Sequence, residues 1–388
     1  MKKACQIFLL VFCALVLVAV PVLTAFSEPS DYSIYENRTL TTSRPSFSFS
    51  SLFSGAYFEG WENYLRDSVW NRDGLLKLST RLDMLAGRPF VNDIHASSEA
   101  LLPYTSETVN PDTVAEDAAR MADNLAALAA QVESYGGIFL YVGVPNQYSV
   151  YRAGYPAYMD YIAEGLDASA GAFYAALETR GVAYLDIGTA LDGIETYYFK
   201  TDHHMNLPGS VETCRLIFDA LRGMGAEIPD HLADVSFRTL PNPFYGSRSR
   251  RLYGLSPFTE QVEVFDTAPD VAFVRRDNGQ EAASSLCTLP ATDSEPVTYG
   301  MFMGGDIAET ILTTGRAELS DALIFGDSYT NAIETVFYTG FDETRSLDLR
   351  YYEEQTLSDY IDAYRPAVVV CVRDDANYLN FTGNGALS

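Results

Sequence analysis

Between residues 113 and 225 two apolar patterns alternate along the chain. "TVAEDAARMADNLAALAAQVESYG" (113–136), "LDASAGAFYAALETRG" (166–181) and "LPGSVETCRLIFDALRGMG" (207–225) repeat their apolar positions at helical spacing, the last with Pro208 in its first turn. "GIFLYVGVP" (137–145) and "VAYLDI" (182–187) are instead short, nearly unbroken apolar runs. Strands buried on both faces read in this way, so the alternation predicts a parallel sheet covered by helices on each side. The rhythm breaks at about 230–300, where "HLADVSFRTLPNPFYGSRSRRLYG" and "EQVEVFDTAPDVAFVRR" alternate in strand fashion between Pro and Gly, a β-rich insertion. It resumes at "DALIFGDS" (321–328), passes through "RSLDLRYY" (345–352) and ends in "PAVVVCVRDDANYL" (366–379).

The N-terminal hundred residues follow other patterns. Lys2 and Lys3 precede 23 residues without a charge, "ACQIFLLVFCALVLVAVPVLTAF". As a helix that run spans roughly 34 Å, enough for a hydrocarbon core of about 30 Å. Residues 1–26 are therefore read as a transmembrane anchor with its lysines cytoplasmic and the rest of the chain outside. A cleaved signal ending at Ala25, giving a secreted protein, is the alternative, although Leu23 suits its −3 position poorly. Residues 27–51, rich in Ser, Thr and Pro, read as an extended linker. Residues 52–104 read as an extension: amphipathic helices to about 86, carrying Trp61 and Trp70 as packing residues, then short strands. The main domain then runs over 105–388.

Composition narrows the function classes. The chain is 47% hydrophobic and 13% aromatic, which allows a large core. Its 52 acidic against 26 basic residues give a formal charge of −26, a surface that repels phosphate backbones and argues against nucleic acid as a partner. Outside the apolar N-terminus only Cys214, Cys287 and Cys371 occur, widely spaced, so disulfides are not the framework and no metal spacing is evident. Neither a metal nor another cofactor is expected.

Two short stretches carry chemistry. "FGDSYTN" (325–331) follows the apolar run 321–324 and puts Ser328 on a corner between a strand and a helix. Such a corner exposes the side chain and aims backbone N–H groups at charge forming beside it. A capping role for Asp327 or Ser328 explains the same residues. "YYFKTDHHMN" (197–206) holds two of the four histidines. A serine hydroxyl needs a base, and the base needs an acceptor on its other ring nitrogen. Asp202 can bend back to His204, whereas Asp202 and His203 point apart if the stretch is extended. Surface histidines beside a capping Asp202, a metal on Asp202, His203 and His204, and an inactive relic of the fold are the competing readings. The combination favours an Asp202–His204–Ser328 triad.

"TDHHMN" and "FGDSYTN" resemble the DHHW protein family of bacterial, membrane-anchored proteins, which are similar to the SGNH-hydrolase-like proteins that acetylate alginate. "YENRTL" (35–40), "VPNQYSVY" (144–151), "MFMGGD" (301–306) and "LDLRYY" (347–352) extend the likeness over roughly 35–380. The resemblance implies an SGNH-like, flavodoxin-like α/β fold. The serine block follows the Asp/His block here, which implies a circularly permuted version. It also implies Ser328 as nucleophile, His204 as general base and Asp202 as the group that orients it. For the oxyanion or the substrate, the Ser328 N–H, Asn331, Asn377, Arg350 and His203 are candidates, with Gly304 and Gly305 as further backbone donors or a plain turn. Met205 stands where the family name expects Trp, a departure that bears on ligand packing. The implied activity is transfer or hydrolysis of O-acetyl groups on a cell-envelope glycan, with a membrane acyl-donor protein as a further partner. The alternative is a non-catalytic scaffold or carbohydrate-binding protein of envelope-polysaccharide assembly.

Overall fold

The computed structural model describes residues 2–105, 110 and 113–387. By Cα proximity the chain divides into two compact units, Met1–Ile94 with Ser249–Ser256, and His95–Arg248 with Pro257–Ser388.

The second unit is built on one eight-stranded sheet. In chain order its strands are β1 (Ile138–Val144), β2 (Tyr184–Asp186), β3 (Val274–Asp277), β4 (Gln280–Glu281), β5 (Glu309–Thr313), β6 (Ala322–Gly326), β7 (Glu343–Leu347) and β8 (Val368–Asp374). They lie side by side in the order β4-β3-β5-β7-β6-β8-β1-β2. The five strands from β7 to β2 are parallel, with Gly326 opposite Val372 and Asp374 opposite Val144. Every residue of β6 and β8 is buried, as the unbroken apolar runs require of strands covered on both faces.

Two helices, Val114–Ser134 and Tyr161–Arg180, pack on one face with Leu357–Tyr364 over a core that includes Tyr141, Phe173, Phe325 and Cys371. On the other face Leu207–Gly223 meets Thr330–Phe337 through Phe218 and Phe337, whose ring centroids are 5.6 Å apart. Cys371 in β8 is a small, fully buried hydrophobe, and Cys13, Cys214, Cys287 and Cys371 are unpaired.

The sheet is mixed rather than wholly parallel. β5, β3 and β4 pair antiparallel at one edge, and the sequence pattern gave no strand at β5. Its five residues alternate between half-buried and buried, the pattern of an antiparallel strand with one solvated face. The segment 230–300 carries strands of two kinds. Ser236–Thr239 pairs with Glu263–Thr267 in a two-stranded ribbon, but β3 and β4 extend the main sheet.

In the first unit Lys2–Phe26 is one helix, and Gln6–Phe26 has a mean hydropathy of 3.0, long and apolar enough to cross a membrane. Residues 27–51 are not extended throughout. Tyr32–Ser33 pairs with Arg38–Thr39, with Asn37 in the left-handed region at φ 52°. Three helices follow, Phe49–Ser54, Ala56–Ser68 and Arg72–Leu85.

Candidate active site

The carboxyl ends of parallel strands are where an open α/β sheet gathers its ligands. β6 ends at Gly326, and Asp327, Ser328 and Tyr329 turn the chain into the helix Thr330–Phe337. A Cβ on Gly326 would lie 2.2 Å from the carbonyl oxygen of Val372, so the corner needs a residue without a side chain. The Tyr329 N–H donates to the Asp327 carboxylate at 3.1 Å, and the Thr330 N–H to the Asp327 carbonyl at 2.9 Å. These two bonds hold the turn. Ser328 stays half-buried, and its own N–H has no acceptor among the described residues.

The second stretch arrives after β2. Residues 199–204 form a tight run of bends, pinned by the Phe199 N–H donating to the His204 carbonyl at 3.3 Å and by pairing of Tyr198 with Met205. His204 Nε2 lies 2.8 Å from Ser328 Oγ, and His204 Nδ1 lies 2.7 Å from Asp202 Oδ1. Asp202 and His204 are both buried. The His204 ring stacks on Tyr299, 3.6 Å between centroids and 5° between planes, which fixes its tilt.

Asp202 is held by more than the imidazole. The His204 N–H donates to Oδ1 at 3.2 Å and the Ser247 N–H to Oδ2 at 2.6 Å. Burial alone would raise its pKa, but His204, then His203 and the Ser247 N–H, outweigh it and hold the carboxyl well below its ordinary value. It is an anion at any pH at which the site could work. Gly246 brings this loop close: a Cβ there would meet the Thr201 carbonyl oxygen at 2.4 Å and the Asp202 nitrogen at 2.8 Å. Glu260 ties down the same bend by accepting from the Lys200 N–H at 2.6 Å and the Thr201 N–H at 2.8 Å. Gly246, Ser247, Glu260 and Tyr299 escaped the sequence reading. They act through backbone or ring contacts 40 or more residues from the histidines, and no local pattern marks them.

His203 does not point away from Asp202. The bend, unlike an extended strand, leaves its Nδ1 3.4 Å from Asp202 Oδ1 and 2.8 Å from Ser247 Oγ, and Tyr329 donates its hydroxyl to the His203 carbonyl. Asp202, His203 and His204 could offer metal-ligand atoms within 4.8 Å of one another. Both ring nitrogens of His204 and both Asp202 oxygens already have hydrogen-bond partners, however.

The remaining predicted residues are more committed to neighbours. The Asn331 amide donates to Asp306 at 3.0 Å, and the Asn377 amide to Asp374 at 2.6 Å. Arg350 donates to Asp348 and lies 3.1 Å from Asp306. Asn377, Arg350 and Asp327 nevertheless line one cavity of about 250 Å³. Gly304 and Gly305 form a turn with φ of 84° and 98°, and the Gly305 N–H donates to the Phe302 carbonyl. Met205 is buried against the helix Leu207–Gly223, where Thr213 Oγ1 lies 3.5 Å from its sulfur.

Behind Ser328 three carboxyl groups crowd together. Asp327 is pushed well above its ordinary value by burial and then by the charge and hydrogen bonding of Asp374. Asp375 is pushed up to about 7 by burial and the Asp374 charge. Asn146 bridges the last two: its side chain donates to Asp374 at 3.1 Å and its backbone N–H to Asp375 at 2.9 Å.

Residues 102–287 match the family described as the SGNH hydrolase-like domain of the acetyltransferase AlgX. The fold is SGNH-like. PatB1 of Bacillus cereus, solved with a sulfonyl adduct, superposes with a TM-score of 0.60 at 20% identity over 74% of this chain and 95% of its own. A DHHW family protein from Eubacterium siraeum superposes with a TM-score of 0.55 at 17% identity over 75% of this chain and 93% of its own. The likeness to the DHHW family and to SGNH-like acetylating proteins, read from "TDHHMN" and "FGDSYTN", thus has counterparts in both sequence family and fold. No curated protein sequence matches the chain.

Proposed function

We propose that the protein is an exported, membrane-anchored serine acyltransferase or esterase acting on O-acetyl groups of a cell-envelope glycan. The observation that carries this reading is the 2.8 Å contact of His204 Nε2 with Ser328 Oγ while Nδ1 is held by Asp202. An anionic Asp202 accepts a hydrogen bond from Nδ1–H, so the proton stays on Nδ1 and Nε2 is left basic toward the serine. Ser328 Oγ attacks the acyl carbonyl and its proton passes to Nε2. The carbonyl oxygen becomes an oxyanion beside the Ser328 N–H, at the start of the helix Thr330–Phe337. Collapse breaks the bond to the donor's alcohol oxygen, which leaves with the proton from Nε2. A sugar hydroxyl or water then gives its proton to Nε2, attacks the acyl-serine and releases Ser328.

Acetyl as the acyl group and a glycan as the acceptor follow from the acetyltransferase description of the matching family and from the resemblance to alginate-acetylating proteins. Membrane anchoring follows from the apolar helix Lys2–Phe26 behind two lysines. The full-length protein in detergent should hydrolyse 4-nitrophenyl acetate and take a fluorophosphonate label. Ser328→Ala should lose the label and lower kcat about 10³-fold or more. Equal turnover in both proteins refutes the nucleophile and leaves a scaffold of envelope-glycan assembly. Loss of turnover in chelator points instead to a metal on Asp202, His203 and His204.

A further inference from the structure

The unit that contains the apolar N-terminal helix has its amphipathic helices inside out. In Ala56–Ser68 the side turned inward carries Gly60 and Asp67. A Cβ on Gly60 would lie 2.7 Å from Pro45, and Asp67 is 3% exposed, gripped by Arg38 at 2.7 and 2.8 Å and by the Thr41 N–H at 3.0 Å. The opposite side carries Phe58, Trp61 and Leu65 at helical spacing, and Phe58 and Leu65 are exposed.

Arg72–Leu85 repeats the arrangement. Thr80 is the buried residue, 2% exposed, bonded to the Leu76 carbonyl and to the Asn92 amide at 2.9 Å. Leu75, Leu78, Leu82 and Leu85 form the stripe on the other side, and Leu85 is 76% exposed. The six-residue helix between the linker and Gly55 adds Phe49 and Phe53, the latter 86% exposed. A water-facing helix puts its polar side outward. These two bury polar anchors and show leucine and phenylalanine, the pattern of helices whose outer solvent is not water.

Three observations bear on what that solvent is. First, the helices belong to the same compact unit as Lys2–Phe26, and the Trp70 N–H donates to Thr24 Oγ1 at 3.0 Å, two residues before that helix ends. The connection between the two amphipathic helices therefore lies at the level where a span starting at the lysines would leave the hydrocarbon. Second, the unit is rich in rings that favour the bilayer interface: Phe47, Tyr57, Trp61 and Tyr64 form a chain of edge contacts at 5.5, 6.4 and 5.7 Å. Third, charge permits the approach. Residues 27–94 carry seven basic and nine acidic side chains, whereas 95–388 carry 17 and 43. The acidity that would repel an anionic membrane is almost wholly outside this unit.

We infer that residues 47–85 form a second, interfacial membrane contact, with Phe53, Phe58, Leu65, Leu78, Leu82 and Leu85 seated among the headgroups and upper acyl chains of the leaflet in which the N-terminal helix ends. The inference rests on that helix being a retained span. It is independent of the serine chemistry.

The two tryptophans of the chain, Trp61 and Trp70, both lie in the contact and serve as probes. The full-length protein is reconstituted in phosphatidylcholine vesicles brominated either near the headgroup end of the acyl chain or near its terminal methyl. An interfacial helix sinks about 5–10 Å, so shallow bromines should remove about half of the emission and deep ones little. Trp61→Phe and Trp70→Phe should each leave a tryptophan that behaves in this way. Leu78→Ser with Leu82→Ser, and Phe53→Ser with Phe58→Ser, should weaken the shallow quenching while the protein still floats with the vesicles. Flotation with equal emission in brominated and plain lipid overturns the inference, and shielding from acrylamide in that case would assign the face to a protein partner. Failure to float overturns the retained span, and the interfacial contact falls with it.

Discussion

At the residue scale the site depends on which ring nitrogen of His204 carries the proton. Asp202 decides this, because an anion can only accept and so keeps the proton on Nδ1. Asp202→Asn retains the shape but offers an amide that can donate, which favours the other tautomer and removes the lone pair from Nε2. The expected outcome is a fall in kcat of about 10³–10⁴-fold for 4-nitrophenyl acetate with the melting temperature little changed. A tenfold or smaller loss would show that Asp202 only supports the loop. The contact geometry was legible from sequence because Asp202 and His204 lie two residues apart, and Ser328 sits at a strand end that apolar patterning marks. His203 would point away from Asp202 only in an extended stretch, and the hydrogen bond from the Phe199 N–H to the His204 carbonyl bends the stretch instead.

At the element scale two loops must be held at the carboxyl edge of the sheet, and the anchoring contacts are invisible in local sequence. Gly246 is the clearest case. Gly246→Ala places a methyl group into the backbone at Thr201 and Asp202. The expected cost in stability is about 1–3 kcal/mol by urea unfolding, with a loss of kcat larger than that of a matched alanine at an exposed glycine with room for a methyl group, such as Gly171. Unchanged activity would mean that the bend tolerates displacement. The carboxyl cluster behind Ser328 has its own signature. Asp375 takes up its proton more tightly in the folded chain than in the unfolded one, since its value rises from the ordinary carboxylate range to about 7. The folded state therefore binds more protons between about pH 4 and 7, so stability contributed at low pH is lost as pH rises through that window, by up to about 1.4 kcal/mol per pH unit. Asp375→Asn keeps an oxygen for the Asn146 N–H and should flatten the decline, giving a protein more stable than wild type near pH 7. Chemical unfolding across pH 4–8 measures it, and parallel profiles would refute the assignment. β5, which escaped the sequence pattern, is a short strand paired on both sides in the antiparallel part of the sheet, and its alternation of buried and half-buried residues resembles that of any polar loop with two or three apolar residues.

At the scale of the whole molecule the two readings of the chain meet in its charge. Residues 95–388 hold 17 basic and 43 acidic side chains, and the serine lies within this part. An anionic substrate approaches such a surface against repulsion that extends over about a Debye length, roughly 30 Å at 0.01 M salt and 8 Å at 0.15 M. Raising salt over that range should raise kcat/KM for an anionic aryl acetate such as acetoxypyrene trisulfonate by about tenfold, while kcat/KM for neutral 4-nitrophenyl acetate stays flat. The contrast between two esters of one acyl group isolates the field from the chemistry, because the proposed attack by Ser328 on an acetyl carbonyl is common to both. If the two substrates respond alike, the acidic surface does not reach the site, and a cell-envelope acceptor with many carboxylates becomes as acceptable as a neutral one. If only the anionic ester gains, the natural acceptor is a glycan of low charge, or one met where cations screen it.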